Sequence, residues 1–168
     1  MKRTIVTLLL LLAFAPVAFA QHKTAKVTDS ACYRPGLTDS IVSYAQSFLG
    51  TPYKYGCASA AGFDCSGFAW YVFAHYGVNV PRGSKEYQTF GKEVPISKAR
   101  KGDIIVFRGT HPEDKRAGHV GIVISEEGQP LKFIHSSSSD NHRGVVITDY
   151  NNSAYPKRFI RICRVIGT

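Results

Sequence analysis

The sequence predicts an α+β domain in which N-terminal helices pack on a central antiparallel β-sheet of about five strands. Three observations predict it. Between Thr38 and Phe90 the apolar residues recur at helical spacing. From Ile104 onward they gather in short β-branched or aromatic runs separated by turn residues, so helices precede strands rather than alternate with them. Removal of a leader of 20 residues from the 168 leaves 168 − 20 = 148, enough for one core and too few for two.

The leader comes first. Lys2 and Arg3 form a positive end, Thr7 to Phe14 is mostly leucine, and Ala18-Phe19-Ala20 supplies a small-x-small cleavage pattern. The apolar run is short for a membrane span, so residues 1–20 read as a signal peptide with Gln21 as the first mature residue. No integral membrane span is expected after its removal. Residues 21–37 are polar, carry Pro35-Gly36, and read as an N-terminal arm. The folded domain is assigned to 38–168.

Thr38 is placed to cap a helix whose face is Ile41, Val42, Ala45, Phe48 and Leu49, ended by Gly50 and Pro52. A second helix starts near Cys65, with Asp64 as its cap, Phe68, Ala69, Val72, Phe73 and Tyr76 on its buried side, and Gly77 at its end. A short third helix is expected from Ser84 to Phe90. Lys101-Gly102-Asp103 then opens a strand at Ile104–Phe107. Val120–Ile124 and Leu131–Ile134 flank Glu126-Glu127-Gly128 and read as a hairpin. Val145–Thr148 and Phe159–Val165 give two more strands.

Charge bounds the partners. The chain has 21 Lys and Arg against 12 Asp and Glu; two of the basic residues are in the leader, leaving 19 − 12 = +7. A basic exported protein suits anionic polymers. The basic residues are scattered, with no long tract, which argues against nucleic acid.

Cys65 is the first chemical anchor. At the start of a helix the peptide dipoles favour an anion, so its thiol is expected to be acidified. The free N–H groups of that turn could also receive an oxyanion. Phe63 and Phe68 beside it also suit a buried structural cysteine, but the Asp-Cys-Ser-Gly turn before an amphipathic helix favours a nucleophile. A thiol nucleophile needs a base. Of six histidines, His22, His75, His111 and His142 lie in the tail, a helix end or polar loops, whereas His119 and His135 border the two hairpin strands. A turn centred on Glu127 sets them directly opposite, with Cβ atoms about 5 Å apart. His135 would then hold one ring nitrogen of His119 and leave the other for Cys65. Two strand-end histidines satisfied by backbone fit the same pattern. Cys57, Cys65, His119 and His135 have no paired short spacing, so no metal is expected.

Together these residues resemble the NlpC/p60 family of cell-wall peptidases, which have a papain-like fold. The motifs are GTPYKYG at Gly50–Gly56, GFDCSGF at Gly62–Phe68, VPRGS at Val80–Ser84, KGDIIVF at Lys101–Phe107, GHVGIVI at Gly118–Ile124 and FIHSS at Phe133–Ser137. The resemblance implies Cys65 as nucleophile, His119 as base and His135 as its orienting residue. It implies Tyr53 near the oxyanion or thiolate, and Asp64, Ser66, Arg82 and Ser84 along the substrate cleft. The implied substrate is the peptide stems of peptidoglycan, cut in the periplasm or cell envelope by a monomer needing no cofactor. The tail YPKRFIRICRVI is similar to the ending of small murein endopeptidases that cut the D-alanyl-diaminopimelate crosslink; other members cut the γ-D-glutamyl-diaminopimelate bond. One departure is Cys57, where the family usually has a second glycine; it reads as a small core residue or a redox partner for Cys65. Cys32 and Cys163, near opposite ends of the mature chain, could be bridged. A wall-peptide binding protein and an acyltransferase using the same acyl-enzyme are the rival functions.

Overall fold

The computed structural model describes residues 36–111 and 113–167. The leader, the arm through Pro35, and with them Cys32, lie outside the described residues. Helix α1 spans Leu37–Gln46 and buries Leu37, Ile41, Val42 and Ala45. It starts one residue before the expected Thr38. Its N-cap is Gly36 at φ 79°, which makes no side-chain capping bond. Phe48 and Leu49 fall beyond the helix. Phe48 still packs on the core, but Leu49 is half exposed.

A two-stranded hairpin of β1 (Ala58–Ser59) and β2 (Gly62–Phe63) leads into helix α2, Cys65–His75. Here the sequence expectation holds in detail. Asp64 is extended, and its carboxylate accepts from the Gly67 N–H, which satisfies one of the free donors of the first turn. Gly77, at φ 72°, follows the helix. Seven of the eleven residues of α2 are buried, so this is an interior helix lying on the sheet and against α1. Phe68, Val72 and Phe73 are fully buried, each contributing about 1.5–3 kcal/mol of transfer free energy.

The expected third helix is a short 3₁₀ segment, Ser84–Gln88. After it come β3 (Lys92–Val94), β4 (Ile104–Arg108), β5 (Ala117–Val123), β6 (Lys132–Ser137), β7 (Gly144–Asp149) and β8 (Phe159–Arg164). They form one antiparallel sheet in the order β3-β8-β4-β5-β6-β7. The sheet has six strands rather than about five. The added edge strand, Lys92–Val94, is three residues long and mostly polar, so it carries no period of its own.

The sheet is covered on both faces, which explains why its central strands read as continuous apolar runs. In β4, Ile104 and Val106 face the helices, while Ile105 and Phe107 join a second cluster with Val123, Phe133 and Ile162. The Lys-Gly-Asp turn has a structural reason. Buried Asp103 accepts two bonds from the Arg164 guanidinium, each 2.8 Å, tying the start of β4 to β8. Among the described residues no helix is long and apolar enough to cross a membrane.

Candidate active site

Two elements meet at the site: the first turn of α2 and the start of β5. Cys65 is 8% exposed, and its thiol donates to the Gly118 carbonyl at 3.9 Å. Gly118 immediately precedes His119. The backbone N–H groups of Val120 and Ser66 act to favour the thiolate. Among the described residues no hydrogen bond joins Cys65 to His119 in this resting geometry.

The two histidines are brought together, by a register different from the expected one. β5 and β6 pair Ile122 with Ile134 and Val123 with Phe133, which centres the hairpin on Gly128 rather than Glu127. His119 and His135 are therefore diagonal neighbours instead of direct partners. A two-residue displacement keeps both side chains on one face because the strand period is two. The diagonal is bridged by a bond of 2.9 Å between His119 Nε2 and His135 Nδ1. On that register Gly121 lies across from His135. A Cβ there would come 3.2 Å from the His135 Cβ and 2.6 Å from the Phe133 ring. The glycine of His119-Val120-Gly121 thus makes room for the second histidine.

Two residues missed in the sequence complete this cluster. Thr148 Oγ1, on β7, lies 2.9 Å from His135 Nε2. Tyr155, in a 3₁₀ turn at Tyr155–Arg158, lays its ring on His119, with centroids 5.5 Å apart. Its hydroxyl is 3.4 Å from His119 Nε2 and 3.5 Å from His135 Nδ1. Arg158 in turn covers Tyr155, with its guanidinium carbon 4.8 Å from the ring centre. Thr148 carried no local signal. Tyr155 stood in the tail motif, where an aromatic residue ahead of the last strand was its only mark.

Protonation states follow from burial. Burial pushes the Cys65 thiol up, the Asp64 charge adds to this, and the backbone bonds oppose it only in part. Burial thus acts against the acidification expected from the helix N-terminus. Burial also lowers His119 well below the ordinary histidine value, aided by His135 and Arg158. His135 is pushed down to about 3 by burial and Arg158. Both shifts favour the uncharged forms, a thiol and an imidazole.

The remaining sequence candidates line a cavity of about 570 Å³ beside Cys65, which includes Tyr53, Asp64, Ser66, Arg82 and Ser84. Asp64 and Arg82 are bound to each other, at 2.8 and 3.0 Å, and the Ser66 hydroxyl donates to Asp64 at 3.2 Å. These three side chains build the wall of the cavity before any substrate arrives. Burial raises the Tyr53 phenol, which keeps its proton available for donation. A second cavity, about 560 Å³, opens on the other side of Gly118 and is lined by His119, Tyr155, Arg158 and Ser137. Cys57 is partly exposed, and its carbonyl accepts from Asp64 N–H. Among the described residues Cys57, Cys65 and Cys163 are free thiols, and Cys163 is buried with its thiol on the Phe90 carbonyl. No group of three His, Cys, Asp or Glu side chains among them is disposed to hold a metal ion.

A family model described as "NlpC/P60 family" matches residues 50–164, from the Tyr53 segment through β8. The chain belongs to the NlpC/P60 family. It is 35% identical over 128 residues to the murein DD-endopeptidase MepS/murein LD-carboxypeptidase of Escherichia coli K12, covering 76% of this chain and 62% of that one. It is 32% identical over 158 residues to a probable endopeptidase of Haemophilus influenzae, covering 92% of each. Among solved structures, an NlpC/P60 family protein from Bacillus cereus superposes with a TM-score of 0.68 at 29% identity, over 77% of this chain and 40% of that one. This chain thus spans about three-fifths of the length of MepS.

Proposed function

We propose that this chain is an exported cysteine hydrolase that cuts an amide bond in the peptides of peptidoglycan, with Cys65 as nucleophile, His119 as base and His135 holding His119 in place. One observation carries this reading. A thiol at a helix N-terminus touches the backbone beside a histidine whose far nitrogen is tied, at 2.9 Å, to a second histidine. This is the nucleophile–base–orienter arrangement of covalent hydrolases. The relatives named murein endopeptidases support the substrate class and an envelope location.

In the active tautomer His119 donates from Nε2 to His135 Nδ1, and His135 donates from Nε2 to Thr148. His119 Nδ1 is then a lone pair on the side of Cys65. In this reading the Cys65 thiol leaves the Gly118 carbonyl for that nitrogen as substrate enters, since catalytic hydrogen bonds often tighten only in the complex. His119 takes the proton as sulfur adds to the amide carbonyl. The oxyanion meets N–H groups of the first turn of α2 and the Tyr53 hydroxyl. The C–N bond breaks as His119 returns the proton to the leaving amine. Water, deprotonated by His119, then hydrolyses the thioester and restores the thiol. Asp64, Ser66, Arg82 and Ser84 shape the acyl side of the cleft.

The bond is either the D-alanyl-diaminopimelate crosslink or the γ-D-glutamyl-diaminopimelate bond within a stem. Mass spectrometry of purified muropeptides, incubated with the mature protein and with Cys65→Ala, tests the reading. Conversion of crosslinked dimers to monomers, or shortening of stems, with wild type alone is the expected result. Unchanged muropeptides with folded wild-type protein would favour a wall-peptide binding protein instead.

A further inference from the structure

The two cavities divide the cleft at Gly118, and chemistry assigns their sides. The acyl group stays on Cys65, which lines the first cavity and not the second. The leaving amine collects its proton from His119, which lines the second and not the first. The second cavity therefore receives whatever is attached to the leaving nitrogen.

That cavity contains Arg158. Its guanidinium lies over Tyr155, whose hydroxyl is 3.4 Å from His119 Nε2, so the cation stands one side chain away from the proton donor. Among the described residues Arg158 has no carboxylate partner. The one acidic side chain lining the cavity, Asp140, faces Arg143 at 3.4 Å and is 95% exposed. A half-buried arginine held on an aromatic ring that stacks on the general-acid histidine, with no carboxylate partner among the described residues, is a preformed carboxylate receptor.

We propose that Arg158 binds a free carboxylate on the carbon that bears the leaving amine, and thereby directs the enzyme to the crosslink. This rests on the peptidoglycan reading above. In the D-alanyl-diaminopimelate crosslink the leaving nitrogen sits on the D-centre of diaminopimelate, which carries a free carboxylate. In the γ-D-glutamyl bond of a tetrapeptide stem it sits on the L-centre, whose carboxyl is already an amide. The anion that Arg158 needs is adjacent to the scissile nitrogen only in the first case. Ser137, on the same wall, can add a hydroxyl donor to the same group.

The test uses two synthetic crosslinked dimers that differ at one group, the D-centre carboxyl of the acceptor diaminopimelate, as free acid or carboxamide. Wild-type mature protein is expected to cleave the free acid with a kcat/KM about 10- to 100-fold higher. Arg158→Gln should lose that preference, with both dimers cleaved within about twofold of the carboxamide rate of wild type, and Arg158→Lys should recover part of it. A merely structural role for Arg158 would lower both rates together and keep their ratio. Equal cleavage of the two dimers by wild type, abolished in Cys65→Ala, would overturn the Arg158 proposal and leave the hydrolase reading standing. Cleavage of neither dimer, nor of any stem bond, by folded wild type would overturn both. The wild-type comparison alone decides the matter if Arg158→Gln fails to fold.

Discussion

Replacement of Thr148 by valine removes the one hydrogen-bond partner that His135 Nε2 has among the described residues, while keeping the shape of the side chain. Wild type bonds that nitrogen to Thr148 Oγ1 at 2.9 Å, and His135 is 1% exposed. An unsatisfied buried N–H costs about 1–3 kcal/mol. The protein can avoid that cost by moving the His135 proton to Nδ1, but His135 would then donate to His119 Nε2 and place the His119 proton on Nδ1. The base would be lost in that form. A penalty of about 1–3 kcal/mol on the active tautomer converts to a fall of about 5- to 150-fold in kcat/KM. The cavity behind His135, about 650 Å³ and lined by Thr148 and Ser153, admits water that can replace part of the bond. The expected loss is therefore near the lower end, about 5- to 10-fold, carried by kcat rather than KM. Thr148→Ser should restore the rate. Nitrogen-15 chemical shifts of the two imidazoles report the tautomer directly. Wild-type kcat with an unchanged His135 tautomer in Thr148→Val would refute this account of the relay.

Two further predictions concern charge. Asp64→Ala removes the cap of α2 and the carboxylate that Arg82 grips, a loss of about 2–3 kcal/mol once the exposed side of Arg82 is discounted, or about 5–10 °C in Tm. Burial acts to raise the Asp64 carboxyl, but Arg82, Gly67 and Ser66 together hold it below the usual range. Its contribution is thus complete above about pH 4 and lost as pH falls through the lower folded value. The Tm gap between wild type and variant should narrow below pH 4, and a gap that widens there would contradict the assignment. For the nucleophile, burial raises the Cys65 thiol and lowers His119. The free enzyme should show no thiolate absorbance near 240 nm at pH 7. A full equivalent of thiolate, lost in Cys65→Ala, would show that the resting state is an ion pair.

Much of this was legible because it is local. Asp64, Cys65 and Gly77 mark a capped helix within one short segment, and the structure places them as the spacing predicts. The shared face of His119 and His135 was legible from strand periodicity. Their register was not, because the turn geometry that shifts the hairpin centre to Gly128 is not encoded in alternation. The direction of the Cys65 shift was hidden for a different reason. The helix dipole can be read from position, whereas the burial that opposes it comes from β5 packing against α2. Thr148 and Tyr155 reach the histidines from β7 and from the turn before β8, so only the assembled sheet reveals them. The edge strand Lys92–Val94 owes its pairing to β8 rather than to its own composition.

The central claim is that Cys65 forms a covalent acyl-enzyme with a peptidoglycan peptide. Acid quenching of wild-type protein during turnover of a crosslinked muropeptide, followed by peptide mapping, measures this most directly. A thioester adduct, with the mass of the acyl fragment, is expected on the peptide containing Cys65 and on no other. Turnover that continues in Cys65→Ala, with no adduct at residue 65 in wild type, would contradict it.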